Sequence, residues 1–389
     1  MPMSLGIYIQ VPFCQTKCTY CNFHTGVVSR DRYQPYAEAV CREITESALL
    51  DAATHKGTVD SVYFGGGTPS LLDPSALGKM IATLRQHYRF EPAEVTLEAD
   101  PETITADKAA AWMSAGFNRI SLGSQSFDDA ELRAAGRMHR RADIFRAVEL
   151  LRNAGFRNIS LDLIAGLAHQ THESWNESMS ELLRARPEHV SIYMLEIDEG
   201  SHLGKEALAG GSRYGAAAIP EEDAMAEFYE SACARLAQAG YEHYEISNWG
   251  LPGYPSRHNL KYWMREPYIG FGAGAHSFDG EKRWANIHDS ARYVTCIERG
   301  ISTREQIENV TPEQAFEEEL FLGLRKLDGI DLARIERESC TALQGRIAEL
   351  RNRITGMASQ GLVKFDGTRL RLAPDRLTVS NEVLVELLG

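Results

Sequence analysis

No stretch of this 389-residue chain approaches the ~18 consecutive apolar residues of a membrane helix, and Met1 to Leu5 holds no basic segment leading into an apolar run. The sequence therefore predicts a cytoplasmic protein with no transmembrane segment. Basic charge is in deficit: 41 Lys and Arg stand against 54 Asp and Glu, a net charge of -13. That balance argues against an extensive phosphate-binding surface, though not against a local basic patch, so no nucleic-acid partner is expected. Cysteine is sparse, and four of the seven, Cys41, Cys233, Cys296 and Cys340, lie singly. Cys41 sits beside the apolar series Tyr36, Val40, Ile44, Ala48, and Cys233 beside Met225, Phe228, Ala232 and Leu236, so both read as core-facing thiols. This is not the spacing of a secreted disulfide framework. A nucleotide P-loop is missing as well, because Gly65-Gly66-Gly67-Thr68-Pro69 is followed by no Gly-Lys-Ser/Thr.

What the chain does have is a concentration of cysteine at one place. Residues Ile7 to Phe23 read I-Y-I-Q-V-P-F-C-Q-T-K-C-T-Y-C-N-F, a short strand before Pro12 followed by Cys14-x3-Cys18-x2-Cys21. Three thiolates on so short a loop can share one inorganic centre, and their softness suits zinc or an iron–sulfur cluster better than magnesium or calcium. A structural zinc site is closed and four-coordinate, for which His24 is the only local fourth ligand. A four-iron cluster on three cysteines instead leaves one iron open to an outside ligand. Disulfides would strand one thiol.

Beyond the loop, strands and helices alternate. Helices are expected over residues 33–53, 105–115 and 221–239. Strands are expected at Val59 to Phe64, Glu94 to Asp100, Asn118 to Gln125, Asn158 to Ile164 and His189 to Leu195. With the cysteine strand these make six βα units, which predicts an α/β fold with an open (β/α)6 partial barrel. Such folds build their sites at the C-terminal strand ends, where this chain places the cysteine loop, Gly65 to Thr68, Glu98, Asp100, Gln125 and Asp162. Residues 200–219 read as a connecting loop and Tyr241 to Trp249 as a strand. Gly270-Phe271-Gly272-Ala273-Gly274-Ala275 lacks the third glycine of a dinucleotide loop. Arg257 to Trp263, R-H-N-L-K-Y-W, would suit a flat aromatic ligand, but composition alone favours a packed aromatic corner with a hydrogen-bonded histidine. From about 311, helices (one near 340–358) and a hairpin at Leu362 to Leu372 look winged-helix-like. Arg346, Arg351, Arg353, Lys364, Arg369 and Arg371 make that part locally basic. The implied division is a barrel over 1–240, a connecting segment over 241–310 and a smaller C-terminal domain over 311–389.

Y-I-x-V-P-F-C-x3-C-x2-C, G-G-G-T-P, L-E-A-D-P, G-x-Q-S-F, D-L-I-x-G-L and H-N-x2-Y-W together resemble the radical S-adenosylmethionine (SAM) proteins of the coproporphyrinogen dehydrogenase-like branch, and within it the HemW-type haem chaperones. The resemblance covers Leu5 to roughly residue 375. It implies a [4Fe-4S] cluster on Cys14, Cys18 and Cys21, and SAM lined by Tyr8, Tyr20, Gly66, Gly67, Thr68, Glu98, Gln125, Arg137 and Asp162. Haem contact would fall on His258, Asn259, Tyr262 and Trp263, with His24 a further conceivable contact. The implied role is delivery of haem to acceptor proteins, with a homodimer left open. Oxidases of this branch carry a fourth cysteine two places after the third, where this chain has Phe23. The alternatives are coproporphyrinogen oxidation and haem degradation by a radical SAM methyltransferase.

Overall fold

The computed structural model describes residues 4–50 and 57–389, with the side chains of residues 48–50 left aside. Six parallel strands form in chain order: β1 (Ser4–Val11), β2 (Thr58–Gly66), β3 (Phe90–Ala99), β4 (Arg119–Gln125), β5 (Ile159–Ala165) and β6 (His189–Met194). Their crossovers carry α1 (Tyr33–Leu50), α2 (Pro74–His87), α3 (Ala106–Ala115), α4 (Asp129–Ala134), α5 (Arg141–Ala154) and α6 (His172–Ala185). Local chemistry sets several ends. Asp73 caps α2 through the Ser75 amide, with Pro74 at the first helical position, and Gly116 stops α3 at φ 105°. Residues 51–53 of the helix expected after Tyr33 lie outside the described residues.

Because strand side chains alternate between faces, each strand has two characters. Ile7, Ile9, Val62, Phe64, Val95, Leu97, Ile120, Leu122, Leu161 and Ile192 join the core, which also holds Trp112 and Trp175. The alternate positions are Tyr8, Gln10, Tyr63, Glu98, Arg119, Ser121, Asp162 and Ser191, and they make the concave face polar.

Strands continue on both edges of the same twelve-stranded sheet. After α7 (His202–Leu208) and α8 (Glu222–Gln238), β7 (Glu242–Glu245) and β8 (Asn248–Gly250) extend it antiparallel beyond β6. On the far side, after α9 (Arg257–Trp263), β9 (Tyr268–Phe271) runs parallel to β1, and β10 (His276–Phe278), β11 (Lys282–Asn286) and, past α10 (Ser290–Glu298), β12 (Arg304–Asn309) follow. The expected connecting segment is thus woven into the barrel sheet. The single strand expected over Tyr241 to Trp249 is a hairpin instead, turning at Ile246, whose amide donates to the Arg325 carbonyl (3.1 Å). The expected 200–219 loop contains α7, and the amide of Leu203 donates to the carbonyl of Thr19 in the cysteine loop (2.8 Å).

The C-terminal part has α11 (Pro312–Gly323), β13 (Ile330–Asp331), α12 (Leu332–Glu338), α13 (Gln344–Ser359), β14 (Val363–Phe365), β15 (Arg369–Leu372) and α14 (Ser380–Leu388), with a separate three-stranded sheet in the order β13-β15-β14. The expected hairpin is β14–β15, and α13 begins only after a tight turn at Thr341–Leu343. Three of its arginines are neutralised locally: Arg346 by Glu317, Arg351 by Glu336 and Arg369 by Asp328.

Candidate functional site

The cysteine loop sits across the tops of β1 and β2. It is closed by hydrogen bonds from the Cys14 amide to the Gly26 carbonyl (3.0 Å) and from the Gly26 amide to the Pro12 carbonyl (2.9 Å). Its far side is held by the Thr19 amide on the Ala135 carbonyl (3.1 Å). The triple glycine is what lets the loop lie so close. The amides of Gly67 and Thr68 donate to Val11 and Phe13 carbonyls (2.8 and 2.7 Å), and a Cβ on Gly67 would stand 2.5 Å from the Phe13 oxygen. Gly66 has φ 110°, and a Cβ there would collide with the Gln10 side chain.

Below the loop, acceptors and cations are set against each other. Glu98 takes the Tyr63 hydroxyl (2.7 Å) and the Gly66 amide (3.0 Å). Burial foremost, with Asp162 and Asp100 adding to it, pushes its pKa up to about 7 against the pull of those hydrogen bonds. Asp162 accepts from Ser121 (3.0 Å) and Ser160 (3.1 Å), and burial raises it as well. Asp100 accepts from Thr68 (3.0 Å) and is paired with Arg137, whose guanidinium also donates to the Gly123 carbonyl (2.8 Å) and stands 3.5 Å from the Cys18 sulfur. Arg137 lies off the strand rhythm, on the segment after α4, and reaches back into the strand ends. Gln125 ends β4 at φ 62°, a left-handed conformation that a non-glycine residue holds only where its surroundings impose it. Its amide nitrogen would lie 3.1 Å from a Cβ on Gly123, so Gln125, Arg137 and Asp100 all gather over that glycine. Tyr20 is half-buried and packs against Ala135, Ile164 and Leu167.

Cys14, Cys18, Cys21 and the residues implied for SAM thus share one end of the barrel. The donor set fits a cluster and a cationic cofactor. Three half-buried thiols stand on one loop, that of Cys18 at 3.5 Å from the Arg137 guanidinium, and three carboxylates stand where an ammonium or sulfonium would be received. Among the described residues, no three His, Cys, Asp or Glu side chains converge as a single-ion site does.

His258, Asn259, Tyr262 and Trp263 lie on α9, towards the N-terminal end of the strands, where the His258 ring stands 6.3 Å from that of Tyr8. The Glu94 carboxylate accepts the Arg257 and His258 amides (3.0 Å each) and so caps the helix. His258 is 1% exposed, with Nδ1 at 3.1 Å from the Ser61 hydroxyl and Nε2 at 2.9 Å from the Tyr262 hydroxyl. Burial, then Lys261 and Arg119, lower its pKa to about 3, so the ring is neutral. Arg325 stacks over Trp263 (4.9 Å). The Gly270 to Ala275 loop spends its amides inside the protein, Gly272 on Glu43 (2.8 Å), Ala273 on Tyr36 (2.9 Å) and Gly274 on Ile287 (3.0 Å), and leaves none for a dinucleotide.

Sequence reasoning passed over Tyr63 and Arg119, although strict alternation with Val62, Phe64 and Ile120 marks both as concave-face residues. It also missed His276 and His288, for which no periodic signal exists.

The Radical SAM superfamily pattern matches residues 8–182, the stretch that carries the cysteine loop and β1 to β5, and the HemN C-terminal domain pattern matches residues 310–375. Fold and strand-end chemistry are together those of a radical SAM protein. The solved structure described as coproporphyrinogen III oxidase (HemN) from Escherichia coli, a radical SAM enzyme, overlays with a TM-score of 0.83, covering 99% of this chain and 90% of that one. At 22% identity that likeness is one of fold. Over nearly full length the chain is 33% identical to the Bacillus subtilis protein named haem chaperone HemW (98% of each chain) and 35% identical to its Synechocystis namesake (97% of this chain, 90% of that one). A mouse protein named radical S-adenosyl methionine domain-containing protein 1, mitochondrial, is 31% identical over 98% of this chain and 87% of its own length. The chain belongs to the HemW family.

Proposed function

We propose that this protein is a cytoplasmic haem chaperone that carries a [4Fe-4S] cluster on Cys14, Cys18 and Cys21, binds SAM across the strand ends, and hands haem to acceptor proteins. The observation that carries this reading is the three-cysteine loop lying over a carboxylate-lined barrel mouth, in a chain alike over its whole length to proteins named haem chaperones. The cluster, when bound, supplies an open iron for the amino and carboxylate groups of SAM and an electron for it.

The chain's own residues do the rest. Gly65 to Gly67 let backbone come close to the methionyl part, and Glu98 offers a carboxylate to its ammonium. Asp162, hydrogen-bonded by two serines, suits ribose hydroxyls. Arg137 orients Asp100 and holds its charge beside Cys18. Haem contact at His258 would require α9 to give up the Ser61 and Tyr262 hydrogen bonds that occupy both ring nitrogens.

The test is anaerobic reconstitution followed by haem titration and transfer to an apo-acceptor. Expected are a stable complex with a shifted Soret band and transfer of the pigment. Conversion of coproporphyrinogen III to its vinyl product, or loss of the Soret band under reducing turnover with SAM, would overturn the chaperone reading in favour of an enzyme. Stoichiometric zinc without labile sulfide would overturn the cluster.

A further inference from the structure

Three histidines from distant parts of the chain meet on the outer rim of the barrel mouth. His24 leaves the cysteine loop, His276 opens β10 and His288 follows β11. The His24 and His288 ring centroids are 4.5 Å apart and those of His276 and His288 6.4 Å apart. All three are exposed, and among the described residues none of their rings makes a hydrogen bond or ion pair. Four other histidines of the chain behave differently: His139, His189, His243 and His258 are buried wholly or in large part and engaged through a ring nitrogen. The patch is also built, not merely coincident. Gly274, at φ 74°, lies under His288, where a Cβ would stand 3.0 Å from Nδ1, and its amide bonds to Ile287 (3.0 Å). Beside it the cysteine loop turns out two large apolar side chains, Phe23 at 67% exposure and Val27 at 60%.

Free imidazole nitrogens next to an exposed aromatic ring are the elements of a haem site: a nitrogen for the axial position of iron and an apolar face for the macrocycle. We propose that the His24–His276–His288 patch, with Phe23 against the ring, is where this protein ligates haem iron through an imidazole. This rests on the haem-carrying reading above and gives that reading a location. It differs from contact at α9, because these nitrogens are already free. It also gives Phe23 a task at the position where oxidases of the branch have cysteine.

The test uses the reconstituted full-length protein titrated with ferric haem, alongside H276A/H288A, H24A/H276A/H288A and, as a control outside the patch, H202A. The double variant leaves the cysteine loop untouched, and cluster content and thermal midpoint are recorded for each. Wild type and H202A are expected to show the same imidazole-ligated Soret and electron paramagnetic resonance signature. The double and triple variants should lose that signature, weaken haem binding by about tenfold or more, and regain the signature with added imidazole. An unchanged signature in the triple variant, with wild type binding haem, overturns the patch and leaves the chaperone reading standing. No uptake by wild type overturns both. Uptake of nickel or zinc ions at the patch, abolished by the triple variant while haem ligation persists, also overturns the assignment to haem.

Discussion

At the scale of single residues the site is governed by where charge can be held. Glu98 has its pKa raised by burial to about 7, so in the ligand-free protein it contributes stability below the ordinary carboxylate range that is lost as pH rises through about 7. A bound ammonium needs the ionised form, so SAM affinity should run the other way. Calorimetric titration should show tighter SAM binding as pH is raised from about 6 to about 8, and E98Q should flatten that dependence. Gly67 makes the opposite kind of prediction, steric rather than electrostatic. G67A places a methyl 2.5 Å from the Phe13 carbonyl oxygen and should cost about 1–3 kcal/mol, read in a denaturant titration. The variant should also retain less iron after reconstitution, since the cysteine loop must lift. The cysteines, Glu98, Asp162 and the glycines were legible in the sequence because each falls at a strand end or in a motif. Nothing in the spacing shows that Arg137 reaches Cys18, since that contact spans 119 positions.

At the scale of elements, α9 carries the most information. Its seven residues are too few for a helix to be stable unaided, and it exists because Glu94 caps its first amides while Lys261 binds Asp60 (2.8 Å) and Glu266 (2.9 Å) under the barrel. E94A should remove that cap and leave the buried Arg119 guanidinium without its neighbouring carboxylate. The cost should be about 3–5 kcal/mol in urea unfolding, whereas E94Q should lose less. The sequence offered two readings of R-H-N-L-K-Y-W, ligand surface and aromatic corner, and composition favoured the corner while the family resemblance favoured the ligand. Packing of Tyr8, Tyr63 and Tyr262 around His258 at ring distances of 5.3 to 6.3 Å makes a corner of it as the chain stands.

For the whole molecule, the question is how the smaller C-terminal part stays attached. Glu318 on α11 bridges Arg265 (2.9 Å), next to α9, and Arg283 (2.7 Å) on β11. Burial opposes its ionisation, yet the two arginines outweigh it and hold the carboxyl below its usual value. Its contribution is therefore present at neutral pH and lost as pH falls through that lowered pKa. E318A should destabilise by about 1.5–3 kcal/mol and speed proteolytic release of the C-terminal part at pH 7, and the difference from wild type should shrink on acidification. Of the basic residues on the winged-helix-like part, Arg346, Arg351 and Arg369 have carboxylate partners, and Arg353 donates to the Leu387 and Leu388 carbonyls.

The amino-acid order alone determined the six parallel strands, the cysteine loop at their C-terminal ends and the polar residues gathered there. These are local matters: alternation on a strand, glycine at a turn, and thiols close along the chain. The hairpin form of β7 and β8, the edge strands β9 to β12, the burial of His258 and the meeting of His24 with His276 and His288 were decided only by tertiary structure. Each depends on which segments pair across the sheet, and pairing over more than 200 positions is set by the packing of the whole core, which no window of sequence contains.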